Sequence, residues 1–576
     1  MQKPLSTGTY TARANKYILD IETDALDATK IYCVVIQKVS EFSGVQEVSF
    51  GIPEVFTYGG GFGYPSLNDF RKRFLGIHDT IFVGHNIISF DIPIINRLLR
   101  MDIQIEHQAE DTLLMSQIAD PRREGGNSLK NWGKILNFPK QEFTDFAGGL
   151  TEKMIEYCVQ DVSVNAKVWM TLRNNKDIPE NVLQMERHVR HIIDKQKDYG
   201  FCLDMPEAMI FYAFLEDSLN IAEKELQDIF EPTTIQMKTK TKIIPFNPGS
   251  RQQIGDRLIN KFGWEPKEFT PTGQPKIDET ILKDIGSPEA LKMVDYLTLQ
   301  KRKAHVQSWI AAADEDNMVH GSIRTLGTVT GRMTHNNPNM AQVPSVRAVY
   351  GDRCRSLWVP KDRVNNVLLG TDAEGLELRC LAHYMNDPEF TREVLDGDIH
   401  TFNQNKAGLD TRDQAKTFIY ALIYGAGPAK IGQIVGGGSR EGKTMIDTFM
   451  TSLPKLQTLK SKVEREVQRG SITALDGRRI PVQFPHTALN YLLQGAGAII
   501  CKTWLVQIDK VIKQKRIRAV PVANIHDEIQ FEVNRKDTDE LTDAVHASIK
   551  KTKTILGFNC DLNCSVVIGE SWAETH

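Results

Sequence analysis

The chain of 576 residues contains no apolar run long enough to span a bilayer, no CxxC pair among its eight cysteines, no low-complexity tract and no internal repeat. Each absence excludes a class. No transmembrane helix is expected, because spanning takes about 20 apolar residues. Structural zinc and disulfides are not expected either, and Cys33, Cys158 and Cys501, set in apolar segments, read as reduced core residues. The lack of repeats excludes solenoids and propellers. Net charge is also scarce, at −3, so any nucleic-acid binding must come from local patches rather than a global basic field. The first 19 residues carry Lys3, Arg13 and Lys16 and no acid, but no amphipathic Arg-rich helix, and read as a short disordered arm of a cytoplasmic protein.

What remains is ordinary globular composition, 25% charged and 41% hydrophobic, in a length that fits about three or four domains. Strand-like runs ("KYILDIET", "IYCVVIQKV", "DTIFVGH") alternate with helical ones ("IPIINRLLRM", "SLKNWGKIL", "EKMIEYCVQDVSVNAKVWMTL") over the first 175 or so residues, an α/β pattern. "NNKDIPEN" reads as a linker. Beyond it long helical periodicities take over, as in "ERHVRHIIDKQKDYG", with Gly200 as a C-cap.

Carboxylates gather in the first part. In "YILDIETD", Asp20 and Glu22 are two apart on a strand and project from one face. Asp91 follows a Gly-His-Asn turn in "VGHNIISFD", and Tyr157 and Asp161 in "YCVQD" share a helix face at i, i+4. "DIE" alone is more often just an acidic strand end. Four converging carboxylates would instead require cations, and two divalent ions would suit phosphodiester hydrolysis.

A second set lies far downstream. In "ANIHDEIQFEV", Asp527 falls among Ile525, Ile529, Phe531 and Val533 on the core side of a period-2 pattern, where either a hairpin tip or a metal site would account for it. A partner appears in "NVLLGTDAEGLELRCLAHY", where an apolar strand ends at Asp372 before a helix begins. Asp372 and Asp527 fit two Mg2+ ions at a phosphoryl-transfer centre, with Glu528 a peripheral ligand or a support for the ligands. Between them, "TRDQAKTFIYALIYGAG" has capping-box spacing at Thr411 and Gln414. Arg412, Lys416 and Tyr420 then fall on one helix face with Tyr424 a turn further, and two cations near a helix N-terminus suit a triphosphate.

Asp20, Glu22, Asp91, Tyr157 and Asp161 resemble the DEDD exonuclease superfamily in its Tyr-containing form, which implies 3′ to 5′ hydrolysis of single-stranded DNA with Tyr157 positioning the water. "DAEGLELR", "RDQAKTFIYALIYGAG" and "IHDEIQFEV" resemble, in order, three motifs of family A DNA polymerases, and "TVTGRMTHNNPNMAQVP" is similar to the family's primer-contacting segment. "GDIHTFNQ", "KIGQIVG" and the ending in His576 are most similar to replicative polymerases of podoviruses.

The resemblance implies an α/β and α+β multidomain fold, a ribonuclease H-like exonuclease domain joined to a right-hand polymerase. The expected boundaries are 1–178 exonuclease, 179–310 thumb, 311–399 and 511–576 palm, and 400–510 fingers, with no 5′ nuclease region ahead. It implies Asp372, Asp527 and the Ala373 carbonyl as ligands of two Mg2+ ions, and Asp20, Glu22, Asp91 and Asp161 as ligands of two more, with Mn2+ able to substitute. Arg412, Lys416 and His400 would hold the triphosphate, Lys416 also protonating the departing pyrophosphate. Glu377, packed near Tyr424, would be the steric gate against a ribose 2′-OH. Tyr420 would supply a hydroxyl in place of a substrate 3′-OH and so favour dideoxynucleotide use. Arg332, Asn490, Gln494 and His526 would contact the minor groove and primer end. Expected partners are primer-template DNA, dNTPs, a helicase-primase and a single-strand DNA-binding protein, around a monomer in the host cytoplasm.

Three features stand apart. The basic stretches "MKTKTK" (237–242) and "QKRK" (300–303) are expected to grip phosphate in the thumb. "GGSREGKT" (437–444) satisfies a P-loop pattern through Gly437, Gly442, Lys443 and Thr444, but Ile431, Ile434 and Val435 before it are spaced for a helix rather than a strand, so it reads as an inter-helix loop. Only Glu231 to Pro245 stands where podovirus polymerases carry a long thioredoxin-recruiting insertion, so thioredoxin binding is not expected. A single-subunit RNA polymerase and a catalytically silent DNA-binding subunit are the alternatives. Glu377 and the exonuclease motifs weigh against the first, the intact ligands against the second.

Overall fold

A computed structural model describes residues 15–41, 48–146, 148–236 and 241–575. Most of the N-terminal arm, residues 237–240 of the first basic stretch and His576 lie outside the described residues.

The apolar runs of the first part make a mixed sheet in the spatial order Val48–Phe50, Ile31–Glu41, Asn15–Thr23, Thr80–Gly84, Ala109–Asp111, with Glu54–Thr57 also on Ile31–Glu41. Asn15–Thr23 is central, antiparallel to Ile31–Glu41 and parallel to Thr80–Gly84. Residues 31 to 37 are buried without interruption, the mark of a strand covered on both faces. The long Glu152–Leu172 helix, N-capped by Thr151, packs against this sheet and carries Tyr157 and Asp161 to the end of its central strand.

The Glu180–Tyr199 helix follows and ends at Gly200, whose φ of +83° suits glycine. It ties the first sheet to the rest of the chain. Its Glu186, fully buried, accepts two 2.8 Å bonds from Lys502 and pairs with Arg478 at 2.8 Å, while Arg478 also pairs with Asp476 at 2.7 Å. Nearby, Lys513 bridges to Glu106 at 3.0 Å and Arg122 donates to the Tyr491 hydroxyl at 3.1 Å. Two long helices, Met205–Ile229 and Pro288–Ala312, then pack together. Between them the chain forms a short hairpin, Thr233–Gln236 with Thr241–Ile244.

The "QKRK" expectation needs correction. Helical spacing turns Arg302 inward, where it is 9% exposed and donates to the Val349 carbonyl at 3.0 Å, and Lys303 pairs with Glu216 at 2.8 Å. Lys301 alone of the three cations is exposed.

The second functional region centres on an antiparallel sheet ordered Ala519–Ile525, Glu528–Asn534, Asn366–Ala373, Cys564–Gly569. The Ala488–Lys515 helix lies behind it. Gly495 and Gly497 let that helix approach closely: a Cβ at Gly495 would sit 2.6 Å from Ile480, and one at Gly497 3.3 Å from Leu376. Helices Ile399–Ala407, Arg412–Ile423, Pro428–Gln433 and Ser439–Ser452 form a separate layer. The P-loop-like stretch lies there and not after a strand; only Gly437 and Gly438 stand between the last two helices, and Ser439 to Thr444, expected as a loop, open the Ser439–Ser452 helix, where a Cβ on Gly442 would meet the Pro428 carbonyl at 1.9 Å.

Candidate functional site

Two centres take shape, each at the end of a central strand. In the first, strand pleating puts Asp20 and Glu22 on one face, and their donor atoms lie with Cys158 Sγ within 4.8 Å of one another. Asp91, 2% exposed in the first turn of the Asp91–Leu99 helix, accepts from Ile21 N at 3.1 Å and so is fastened to the same strand. Asp161 is 3% exposed and pairs with Lys140, whose Nζ lies 4.5 Å from the centre of the Tyr157 ring. All five residues expected here meet.

Electrostatics explains their state. Burial, then repulsion from Asp91, Glu22 and Asp161, holds Asp20 well above the usual carboxylate range. Burial and Asp161 push Glu22 up to about 8. Burial raises Asp91 to about 7 and Asp161 to about 6, the latter despite Lys140. Fully ionised, the centre would carry more negative charge than its surroundings satisfy, and without a cation it holds protons instead.

Two contributors were not foreseen. Asp111, 2% exposed, N-caps the Thr112–Ala119 helix through Leu113 N at 2.9 Å and also accepts from Asn86 N at 3.0 Å, fixing the loop that leads to Asp91. Lys140 is the other. Cys158, expected to be core, is buried as such but lends its thiol to the edge of the centre, 3.6 Å from Asp20.

In the second centre, "ANIHDEIQFEV" is not one strand. It folds into a hairpin whose two turn residues are His526 and Asp527, with Ile525 opposite Glu528 and His526 at φ +58°. Asp527 therefore belongs to the hairpin tip rather than to a strand face, and the tip bends onto the neighbouring strand, where its carbonyl accepts from Ala373 N at 3.1 Å. Asp372 is the residue before, opposite Glu528 in register. Burial raises the thiol of Cys501, and Asp527 and Asp372 both raise it further, so both carboxylates act on the same buried group. Asp527 is itself raised by burial and by Glu377, against the lowering effect of His526 and Arg332. Glu528, 6% exposed, accepts from Gln530 Nε2 at 2.8 Å and from Trp572 Nε1, and lies 3.5 Å from Arg355.

A cavity of about 50 Å³ opens beside Asp527, lined among others by Arg332, Glu377, Cys501, Lys502 and His526. Arg332 stands 3.7 Å from Glu377, which accepts the Tyr424 hydroxyl at 3.2 Å. Tyr420 is raised by burial, by Glu377 and by Asp527, and its ring lies 6.3 Å from that of His400.

The Arg412–Ile423 helix starts in the expected capping box, Gln414 N donating to the Thr411 hydroxyl at 3.2 Å and Thr411 N to the Gln414 side chain at 3.1 Å. Ala415 and Phe418 are buried, while Arg412 and Lys416 face solvent. Arg412 pairs with Asp398 at 2.8 Å. Burial and then Arg412 and Lys416 lower His400, so a neutral imidazole lies beside these two cations. The helix stops at Ile423, leaving Tyr424 as its C-cap. Gln494 donates to Asn490 at 2.6 Å on the Ala488–Lys515 helix.

The chain is 28% identical to the DNA-directed DNA polymerase of Escherichia phage T7, over 97% of this chain and all of that one. It is 30% identical to that of Escherichia phage Phieco32, over 81% and 92%, and 22% identical to DNA polymerase I of Helicobacter pylori, over 85% of this chain and 55% of that protein. In fold it matches the POL domain of Pol1 from M. smegmatis, solved with DNA primer-template and dNTP, with a TM-score of 0.79 and 17% identity over 97% and 96% of the two chains. Residues 216–574, more than half of the sequence, match the model of DNA polymerase family A, and the chain belongs to that family.

Proposed function

We propose that the chain is a template-directed DNA polymerase with a 3′ to 5′ proofreading exonuclease, serving phage DNA replication in the host cytoplasm. The observation that carries the proofreading part is the meeting of Asp20, Glu22, Asp91 and Asp161 at one strand end, with all four carboxyls raised by burial and those of Asp20 and Glu22 raised further by their carboxylate neighbours. In this reading residues 1–178 are a ribonuclease H-like exonuclease domain, 179–310 the thumb, 311–399 and 511–576 the palm, and 400–510 the fingers.

Divalent ions, Mg2+ with Mn2+ able to substitute, fit both centres. The Asp161 Oδ1 atom is buried with no hydrogen-bond partner, and Asp20 and Glu22 offer donors within one ion's reach. Asp20, Glu22, Asp91 and Asp161 would hold two ions, and Asp372, Asp527 and the Ala373 carbonyl two more, with Glu528 bracing the turn. When bound, these ions neutralise the carboxylates, activate the attacking oxygen and stabilise the leaving one.

The rest is the work of side chains. Arg412, Lys416 and His400 bind the triphosphate, and Lys416 gives a proton to departing pyrophosphate. Glu377, held by Tyr424, excludes a 2′-OH, and Tyr420 packs on the sugar. Arg332 and His526 at the cavity rim, with Gln494 and Asn490, read minor-groove acceptors shared by all correct pairs. Tyr157 orients the hydrolytic water. Primer-template DNA and dNTPs are the substrates, and a helicase-primase and single-strand DNA-binding protein the working partners of a monomer.

The test uses 5′-labelled single-stranded DNA with Mg2+. The wild type shortens it stepwise from the 3′ end, and the Asp20→Ala, Glu22→Ala double variant leaves it whole. Equal degradation by both would refute the assignment of this centre.

A further inference from the structure

We propose that Lys140 is the resident counter-cation of the N-terminal carboxylate centre, which a divalent ion must displace from Asp161, so that the loop carrying it sets the metal concentration at which hydrolysis begins. The inference rests on the exonuclease reading above and adds a control on that site.

Lys140 reaches the centre from the loop after the Leu129–Ile135 helix, and that loop is clipped both to the preceding helix, where Lys130 donates to Glu142 at 2.8 Å, and to the helix that bears Asp161. Gln160 Nε2 donates to the Pro139 carbonyl at 2.9 Å. The rings of Phe143 and Phe146 lie 5.6 and 6.1 Å from that of Tyr157, and Lys167 Nζ lies 4.7 Å from the ring of Phe138. The ammonium is thereby held over Tyr157 and against one oxygen of Asp161.

The other oxygen, Oδ1, is buried on a residue only 3% exposed and has no partner. One monovalent cation thus answers a cluster that also includes Asp20, Glu22 and Asp91, and a site for more positive charge remains. An ion placed on Asp161 would face the ammonium at short range in a poorly screened setting, where like charges repel strongly. The two occupants exclude each other. Lys140, with 22% of its side chain exposed on a four-carbon stem, has an exit to solvent. Scarce metal therefore leaves the centre latched by lysine.

The test counts Mn2+ bound to the full chain by electron paramagnetic resonance, with the Asp20→Ala, Glu22→Ala variant identifying which sites belong to this centre. Lys140→Met keeps the stem on Tyr157 and is expected to bind Mn2+ there about tenfold more tightly, and to degrade single-stranded DNA at correspondingly lower metal. Lys140→Arg, which keeps the charge, is expected to match the wild type. Unchanged or weaker Mn2+ binding by a folded Lys140→Met overturns the proposal. So does unchanged binding with hydrolysis lost at saturating metal, which would make Lys140 a contact to the DNA. If the double variant binds as much Mn2+ as the wild type, the exonuclease reading fails first, whatever Lys140 does.

Discussion

Tyr424 holds Glu377 by a 3.2 Å hydrogen bond at the end of the helix that begins with the capping box of Thr411, and Arg332 stands 3.7 Å from the same carboxylate. Glu377 is thereby fixed as a wall of the cavity beside Asp527. Replacing it with alanine removes that wall, so Glu377→Ala is expected to lower discrimination against ribonucleotides by roughly 10- to 100-fold. The ratio of kcat/KM for a dNTP and its rNTP measures this. An unchanged ratio would contradict the gate.

The Tyr420 ring lies 6.3 Å from that of His400, and its hydroxyl is raised by burial and then by Glu377 and Asp527. If its hydroxyl substitutes for a substrate 3′-OH, Tyr420→Phe loses about one hydrogen bond, which is about tenfold in dideoxynucleotide use. Ordinary dNTP incorporation should change much less. Competitive termination assays read both, and equal loss for the two substrates would remove this role.

The Glu186, Lys502, Arg478 and Asp476 network is buried where the linking helix meets the helix behind the second centre. Burial pushes the Lys502 ammonium down to about 8 even with Glu186 against it. Removing one partner leaves buried charge uncompensated, so Lys502→Met is expected to cost about 3–5 kcal/mol of stability in urea unfolding. A loss below about 1 kcal/mol would mean that the interior relaxes around the charge.

Metal dependence should follow pH with a definite sign. Glu22 at about 8, Asp91 at about 7 and Asp161 at about 6 all lie above their unfolded values, so the folded state holds protons that the unfolded chain has released. Between about pH 4 and pH 8 the metal-free centre therefore loses stability as pH rises. Divalent ions replace those protons. The difference in Tm between Mg2+ and EDTA is expected to widen from pH 5 to pH 8.5 and to shrink in the Asp20→Ala, Glu22→Ala variant. A pH-independent difference would show that these carboxyls do not hold the metal.

Much of this was legible because it is local. Asp20 and Glu22 betray themselves by strand period and Tyr157 with Asp161 by helix period, and each motif keeps its partners within one element. At Asp527 the sequence left a hairpin tip and a metal site both open, and a period of two could not decide between them. Ile525, Asp527 and Ile529 keep the rhythm of an unbroken strand in the sequence, yet the turn pairs Ile525 with Glu528 and Asn524 with Ile529, so Ile525 and Ile529 face opposite sides of the sheet, and His526 takes the positive φ where a glycine would have announced a turn. Arg302 and Lys303 looked like a phosphate grip because a charge run does not say which of its members a helix turns inward. Asp111 passes as an ordinary helix cap, and Lys140 is one cation in a loop, and only tertiary packing brings either to the carboxylates.

The central claim is that two separate carboxylate centres perform opposed reactions on one primer. Its most direct test is a labelled primer on a single-stranded template with Mg2+ and dNTPs, given to the wild type, Asp527→Ala, and the Asp20→Ala, Glu22→Ala variant. The account predicts extension by the wild type, degradation without extension by Asp527→Ala, and extension without degradation by the double variant. Extension by Asp527→Ala at the wild-type rate would contradict it.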